Sequence, residues 1–363
     1  MSDGKLTRIV IQNIRNVEQA ELQPATGLNL ITGINAAGKT SLLEAIFFLS
    51  RARSFRTHHL KRVIQSGSDK LAIYARIQDN NSQWPLGLEK STSKQVIRIR
   101  NKTVTSVAEL TRTLPVQLIQ PGCQRLLEDG PAARRHYLDW GVFHVEHDFH
   151  NCWRRYYRAL KQRNAALRAK QVDIACVLEP ELVVWGEKLH NLRKNYVVQL
   201  TTQLQDFMSA LFPDLDIAIH YRSGWLEKQG LQLSLQDKLA RDLERGSTSS
   251  GPHRANLEFM IDGTPAESYL SRGQLKMFVI CLILAQMKHF QTRQNKSCIL
   301  LIDDITAELD QRHQQLLIDW ASQIDCQTFI TAIEAEPLLL RAVQKNGGKR
   351  FHVERGHVKE VVQ

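Results

Sequence analysis

Gly33-Ile34-Asn35-Ala36-Ala37-Gly38-Lys39-Thr40, GINAAGKT, is the stretch that decides the fold. It fits Gly-x-x-x-x-Gly-Lys-Thr, a pattern that arises by chance in roughly one chain in a hundred of this length. Its surroundings sharpen it. A strand, Leu28-Asn29-Leu30-Ile31-Thr32, leads in, and KTSLLEAIFFL (39–49) leads out as a buried helix. Glycines at 33 and 38 let the backbone curl so that amide N–H groups face a β-phosphate, and the helix N-terminus adds the positive end of its dipole. Lys39 is placed to bridge β- and γ-phosphate oxygens, and Thr40 to set its hydroxyl on Mg²⁺. The segment from Gly33 through Ser41 is therefore the expected cradle for ATP.

The second half of such a site is an apolar strand that ends in carboxylates. Cys298-Ile299-Leu300-Leu301-Ile302-Asp303-Asp304 supplies one. Asp303 at the strand end suits Mg²⁺, and Asp304 is placed to polarise an attacking water. About 260 residues separate the two halves, so the head is expected to be assembled from both ends of the chain.

The intervening sequence changes character twice. Strands are expected at 6–14, 71–77 and 96–99. From residue 151 the spacing of Trp153, Leu160 and Leu167, with Tyr157 and Asn164 between them, predicts an amphipathic helix. After Pro180 a second helix follows through Trp185, Leu189, Leu192, Tyr196, Leu200, Leu204, Phe207 and Leu211. Together they form an arm of roughly 30 to 45 Å. Beyond it, Asp262-Gly263 signals a hairpin. A helix at 274–290, a strand at 298–302, a helix at 311–324 and a strand at 327–332 restore the α/β alternation. The expected organisation is an α/β head in two parts, residues 1–125 and 246–363, with a mostly helical insertion at 126–245.

Charge is unevenly spread. Of the formal net +11, residues 1–120 hold 17 Lys and Arg against 8 Asp and Glu, whereas residues 201–363 hold 18 against 20. Two basic tracts stand out in the N-terminal part. One is RARSFRTHHLKR, with Arg51, Arg53, Arg56, Lys61 and Arg62; in the other Arg98, Arg100 and Lys102 alternate with Ile97 and Ile99. On a single strand that alternation puts the cations on one face, a track for a phosphate backbone or a solvated surface. Arg53, Arg56, Lys61, Arg62, Arg98, Arg100 and Lys102 are the DNA-contact candidates.

Other classes are disfavoured. No apolar run nears the roughly 18 residues of a membrane span, and the N-terminus has no signal-peptide pattern. Six scattered cysteines without a C-x-x-C pair point to a reducing cytoplasm. His144, His147 and His150 in HVEHDFH spread around a helix and lack a completing thiolate cluster, so a zinc site is not expected.

Leu270-Ser271-Arg272-Gly273-Gln274 resembles the LSGGQ signature of ABC-type ATPases, with Arg at the third position. Thr306-Ala307-Glu308-Leu309-Asp310 resembles the D-loop of the same class. Ser271 and the amides after it, at a helix N-terminus, form a second anion site. With NIRNVEQAEL, GINAAGKTSLLEAIFFLSRARSFRT, EDGPAARRHYLDW, LKQRNAALR, GPHRANL, LSRGQLK and LLIDDITAELD, essentially the whole chain resembles the RecF family of the SMC/RecF group. SMC proteins would need arms of hundreds of residues.

The resemblance implies an ABC-type ATPase head with ATP and Mg²⁺ as cofactors. It also implies a homodimer formed on ATP, in which Ser271, Arg272, Gly273 and Gln274 of each copy meet the nucleotide of the other, with Asp310 close by. Such a dimer clamps double-stranded and gapped DNA, holds single strands more weakly, and acts with RecR and RecO to load RecA. By the same resemblance Arg15 and Arg56 approach the nucleotide, and His253 and Arg254 belong to the head core. Asp304 stands where most ABC proteins carry Glu, and Ala332 replaces the switch histidine of transporter ATPases. A slow, DNA-stimulated ATPase is the expectation. Gln120, followed by Pro121, is the candidate for the Q-loop glutamine. The rival reading is the nucleotide-binding subunit of a transporter; a metabolic kinase would leave LSRGQ unexplained.

Overall fold

The computed structural model describes residues 4–79 and 82–361 and divides the chain into two compact units, Met1–Cys123 with Phe290–Gln363, and Gln124–His289. Motif positions split the chain at 125 and 245, whereas the second unit extends to 289 and so holds the segment 271–274.

The first unit has two six-stranded sheets. One is an antiparallel meander in the order β2-β1-β4-β5-β6-β7, built from β1 (Lys5–Ile14), β2 (Val17–Leu22), β4 (Lys70–Asp79), β5 (Ser82–Ser91), β6 (Gln95–Ile99) and β7 (Lys102–Val104). The other has the order β15-β14-β3-β13-β12-β8, from β3 (Leu28–Thr32), β8 (Val116–Ile119), β12 (Ile299–Ile302), β13 (Gln327–Ala332), β14 (Lys349–Glu354) and β15 (His357–Glu360). All its pairings are parallel except the β14–β15 hairpin. Every residue of β3, β12 and β13 is buried, so none of them alternates between apolar and solvated positions; β12 is wholly apolar, whereas β3 and β13 also bury Asn29, Thr32, Gln327, Thr328 and Thr331.

The helix Lys39–Arg51 packs on both sheets, and its residues 42, 43, 45, 46, 48 and 49 join one hydrophobic core with β1, β4, β12 and β13. Strand β3 comes from the N-terminal part of the chain and pairs directly with β13 from the C-terminal part. The head sheet is thus closed by both chain ends, as the spacing of the motifs required.

In the second unit the helices Phe149–Arg168 and Glu179–Leu211 pack on each other beside a three-stranded sheet, β11 (Thr264–Pro265), β10 (Asn256–Ile261) and β9 (Ile217–Arg222). Asp262 and Gly263, both at positive φ (47° and 77°), make the expected tight turn between β10 and β11. One expectation is corrected. The buried stripe of the first arm helix is Cys152, Tyr156, Ala159, Leu160, Arg163, Ala166 and Leu167. Trp153 and Tyr157 instead pack on each other at the edge of that stripe, ring centroids 4.5 Å apart and planes tilted by 37°. The stripe was hidden because a fully buried Arg163 sits in it, paired to Glu179 at 2.8 Å and Asp242 at 3.0 Å.

His144 packs on Trp140 and Phe143, and His150 on Phe143. Among the described residues no three or more His, Cys, Asp or Glu side chains cluster as a metal-ligand group. None of the described helices is long and apolar enough to cross a membrane.

Candidate nucleotide-binding site

Residues 33–41 connect β3 to the helix Lys39–Arg51. Gly33 has φ 153° and Gly38 φ 119°; a Cβ at Gly33 would stand 2.3 Å from the Val353 carbonyl oxygen of β14. Gly33 is therefore required by shape as well as by conformation, and Gly38 by its conformation. Ala37 donates its N–H to Ile34 O at 3.2 Å, and the Lys39 ammonium folds back on the carbonyls of Gly33 (2.6 Å) and Ile34 (3.0 Å). Burial pushes the Lys39 pKa down, opposed by the negative charges of Asp304 and Asp303. An ammonium so poorly solvated gains strongly when phosphate oxygens replace those carbonyls.

Asp303 follows β12 at the carboxyl edge of the parallel sheet. Its carboxylate accepts hydrogen bonds from Thr40 Oγ1 (2.9 and 3.2 Å) and from Thr331 Oγ1 (2.8 Å). Thr40 and Asp303 lie 263 residues apart in sequence, so the two halves of the site meet directly. Burial raises the Asp303 pKa and Asp304 raises it further, while the hydroxyls of Thr331 and Thr40 and the charge of Arg56 pull it down. The donor set of hydroxyl and carboxylate oxygens suits a hard divalent cation such as Mg²⁺.

Asp304 adopts a left-handed conformation, φ 54° and ψ 53°, with its N–H on Thr331 Oγ1 at 2.8 Å. Its Oδ1 is buried with no hydrogen-bond partner among the described residues. A strained backbone and an orphaned carboxylate oxygen together mark a group held for a ligand.

Around this centre the sequence reading missed several supports. Asn16 ties the loop from outside: its Nδ2 donates to Ala36 O (3.1 Å), and its Oδ1 accepts from Ser41 Oγ (3.0 Å). Glu44, fully buried one turn past Thr40, accepts both arms of the Arg15 guanidinium (2.8 and 2.9 Å) and the Ser54 hydroxyl. Arg56 comes within 3.8 Å of the same carboxylate. Thr331 had no local signal; its role appears only once β13 lies beside β12. Gln120 follows β8 on the same edge, where Asp303 N–H bonds Ile119 O at 2.8 Å. Ala332 is fully buried at the end of β13.

Ile34, Asn35 and Ala36 are exposed, Ile34 by 70%, at the tip of the loop. Asp310 caps the helix Gln311–Gln323 by accepting from His313 N–H at 2.9 Å. In the second unit, Ser271 Oγ accepts from Gln274 N–H (3.3 Å) and Gln274 Oε1 from Ser271 N–H (2.9 Å), a reciprocal capping box. Ser271, Arg272, Gly273 and Gln274 are all exposed. His253 lies in this unit too, bonded to Tyr156 (2.6 Å), with its pKa lowered to about 4 by burial. Arg254 reaches Thr248 O at 3.4 Å; both residues belong to the second unit and not to the head core that the resemblance implied.

The basic tracts differ from the expectation in one respect. Arg100 and Asn101, at φ 52° and 66°, form a tight turn, so β6 ends at Ile99 and Lys102 begins β7 opposite Ile99. The single cationic stripe is therefore broken. Arg100 turns to Asp79 (2.7 Å) and lies over the Trp84 ring, while Arg98 stays on the solvent face. Arg53, Lys61 and Arg62 are exposed, and Arg56 is about half so.

Residues 5–351 match the family model of the RecF/RecN/SMC N-terminal domain. A protein of Shewanella denitrificans called DNA replication and repair protein RecF is 39% identical over 97% of this chain and 98% of its own. One of the same name from Chromohalobacter salexigens is 40% identical, over 97% and 99%. The chain belongs to the RecF family. Its fold matches a solved recombination mediator protein RecF bound to ATP, in the RecFOR pathway, with TM-score 0.87 at 24% identity over 99% and 98% of the two chains. The SMC head of Pyrococcus furiosus is more distant, TM-score 0.61 at 13% identity over 99% and 96%. The fold is that of an ABC-type ATPase head, a P-loop NTPase with an inserted helical part. The transporter reading is not favoured by relatives that match end to end and are DNA replication and repair proteins.

Proposed function

We propose that this protein is an ATP-dependent DNA-binding protein of recombinational repair and replication-gap processing, working in the cytoplasm. The observation that carries the ATP-dependent part is the direct bond between Thr40 and Asp303, with Lys39 and Asp304 beside it. Residues 33–41 hold the phosphates of ATP, and Lys39 neutralises charge that backbone amides alone cannot. Thr40 and Asp303 hold Mg²⁺, which when bound withdraws charge from the phosphate oxygens. Asp304, with its free carboxylate oxygen, accepts a proton from the attacking water. Its carboxylate is one methylene shorter than the usual Glu and no switch histidine assists it, so turnover is slow.

Two ATP-bound copies form the closed state. Each presents its exposed Ser271–Gln274 segment, a capped helix N-terminus, to the nucleotide held by its partner, with Asp310 nearby. The basic N-terminal half, through Arg53, Arg56, Lys61, Arg62, Arg98, Arg100 and Lys102, meets the phosphate backbone of duplex DNA beside single-strand gaps. RecR and RecO act with the clamp to promote RecA loading.

Gel-shift titrations with duplex, gapped and single-stranded DNA, with and without ATP, test this. Affinity for duplex and gapped DNA is expected to rise with ATP and to fall with salt by about 0.9 in log–log slope per phosphate contacted. A flat salt dependence, or no effect of ATP, would remove the reading.

A further inference from the structure

The solvent face of the N-terminal antiparallel sheet carries a second recognition pattern. Its core face is apolar through Leu6, Ile9, Ile11, Leu71, Ile73, Ala75, Ile77, Leu86, Leu88, Ile97 and Ile99. On the opposite face, strand register sets Tyr74 of β4 opposite Gly87 of β5, and Gly87 opposite Arg98 of β6. One row over, Arg8, Arg76 and Pro85 lie side by side. Arg8 is taken, bonded to Glu21 through Nε (2.7 Å) and Nη2 (3.0 Å). Arg76 and Arg98 are exposed, and their guanidinium groups have no ion-pair or hydrogen-bond partner among the described residues.

Gly87 is the informative position. An aromatic side chain opposite a strand glycine ordinarily lies over it and protects the backbone. Here a Cβ built at Gly87 would meet nothing within 4 Å. The half-buried Tyr74 ring is therefore not laid over Gly87. Between Tyr74 and Arg98 the sheet is therefore bare backbone, a flat floor about 10 Å wide from β4 to β6. Arg76 and Arg98 stand about 12 Å apart at their Cα atoms on either side of it.

We propose that this face binds a single unpaired DNA strand, with a base stacked against Tyr74 on the Gly87 floor and phosphates on Arg76 and Arg98. The occupant follows from the chemistry. Two unneutralised arginines call for a polyanion, and an open aromatic wall beside a flat sheet calls for an unpaired base, whose ring face a duplex does not offer. The inference rests on the DNA-binding reading above and adds where the single-stranded side of a gap is held.

Three substitutions test it, with binding of a fluorescent oligodeoxythymidylate, a blunt duplex and ATP measured on each. Tyr74→Leu keeps the half-buried apolar body but loses the ring; single-strand affinity is expected to fall about tenfold. Tyr74→Phe keeps the ring and should stay within twofold of wild type. Gly87→Val fills the floor where the structure has room and the backbone needs no positive φ, so it should fold at least as stably while weakening single-strand binding to the same degree. Duplex and ATP affinities should stay within twofold in all three. Unchanged single-strand affinity in Tyr74→Leu and Gly87→Val would overturn the proposal, and so would an equal loss for duplex, which would make the face a general phosphate surface. A wild-type protein that retains neither form of DNA would instead overturn the DNA-binding reading itself.

Discussion

Asp303 carries a cost in the folded protein. Burial and the neighbouring Asp304 raise its pKa, so the ionised carboxylate destabilises the nucleotide-free fold above that pKa, and the penalty vanishes where both folded and unfolded forms are protonated. Asp303→Asn should therefore raise the melting temperature of the nucleotide-free protein at neutral pH, with the gain shrinking as pH falls through the acidic range. The same change should abolish Mg²⁺-dependent ATP binding. Melting followed by calorimetry at several pH values, beside ATP titrations with and without Mg²⁺, checks both; a drop in melting temperature would mean the carboxylate is a structural anchor. The left-handed Asp304, with its buried and unpartnered Oδ1, belongs to the same pattern of local strain kept for function.

At the scale of elements, the β14–β15 hairpin is a buttress for the phosphate loop. Gly356 N–H donates to Ala37 O at 2.8 Å, and a Cβ at Gly356 would stand 2.2 Å from Asn16 O, at a φ of 82°. Gly356→Ala should shift the hairpin and with it the loop, costing about 1–3 kcal/mol of stability and weakening ATP binding several-fold. Chemical denaturation and equilibrium dialysis measure the two. This support was illegible beforehand because FHVERGHVKEV interleaves polar residues with few apolar ones and its Arg355-Gly356 turn is a weak hairpin signal. By contrast β3, β12 and the helix Lys39–Arg51 are legible almost to the residue, because their apolar residues cluster next to the GINAAGKT and IDD motifs that fix where each element begins or ends. In the first arm helix Leu160 and Leu167 lie on the buried stripe as expected, whereas Trp153 and Tyr157 flank it, because the fully buried Arg163 that joins the stripe looks like a surface residue until Glu179 and Asp242 are brought to it. The site itself divides the same way. Lys39, Thr40, Asp303 and Asp304 follow from local motifs, whereas Asn16, Glu44 and Thr331 act through contacts between distant segments that no spacing announces.

For the whole molecule, one sheet closed by both chain ends means that residues 33–41 and Asp303 cannot be separated into independent modules. The segment Ser271–Gln274 lies in the other unit, exposed and capped. This segment is expected to complete the site of a second copy when ATP is bound. Sedimentation velocity with ATP and Mg²⁺ tests that claim most directly, on wild type, Lys39→Ala and Ser271→Arg. Wild type should sediment as a dimer with ATP and as a monomer without it. Lys39→Ala should bind no ATP and stay monomeric. Ser271→Arg should bind ATP as wild type does yet remain a monomer, because the added bulk and charge enter only the intermolecular site. A Ser271→Arg protein that dimerises with ATP as wild type does would mean that the segment does not reach the partner's nucleotide.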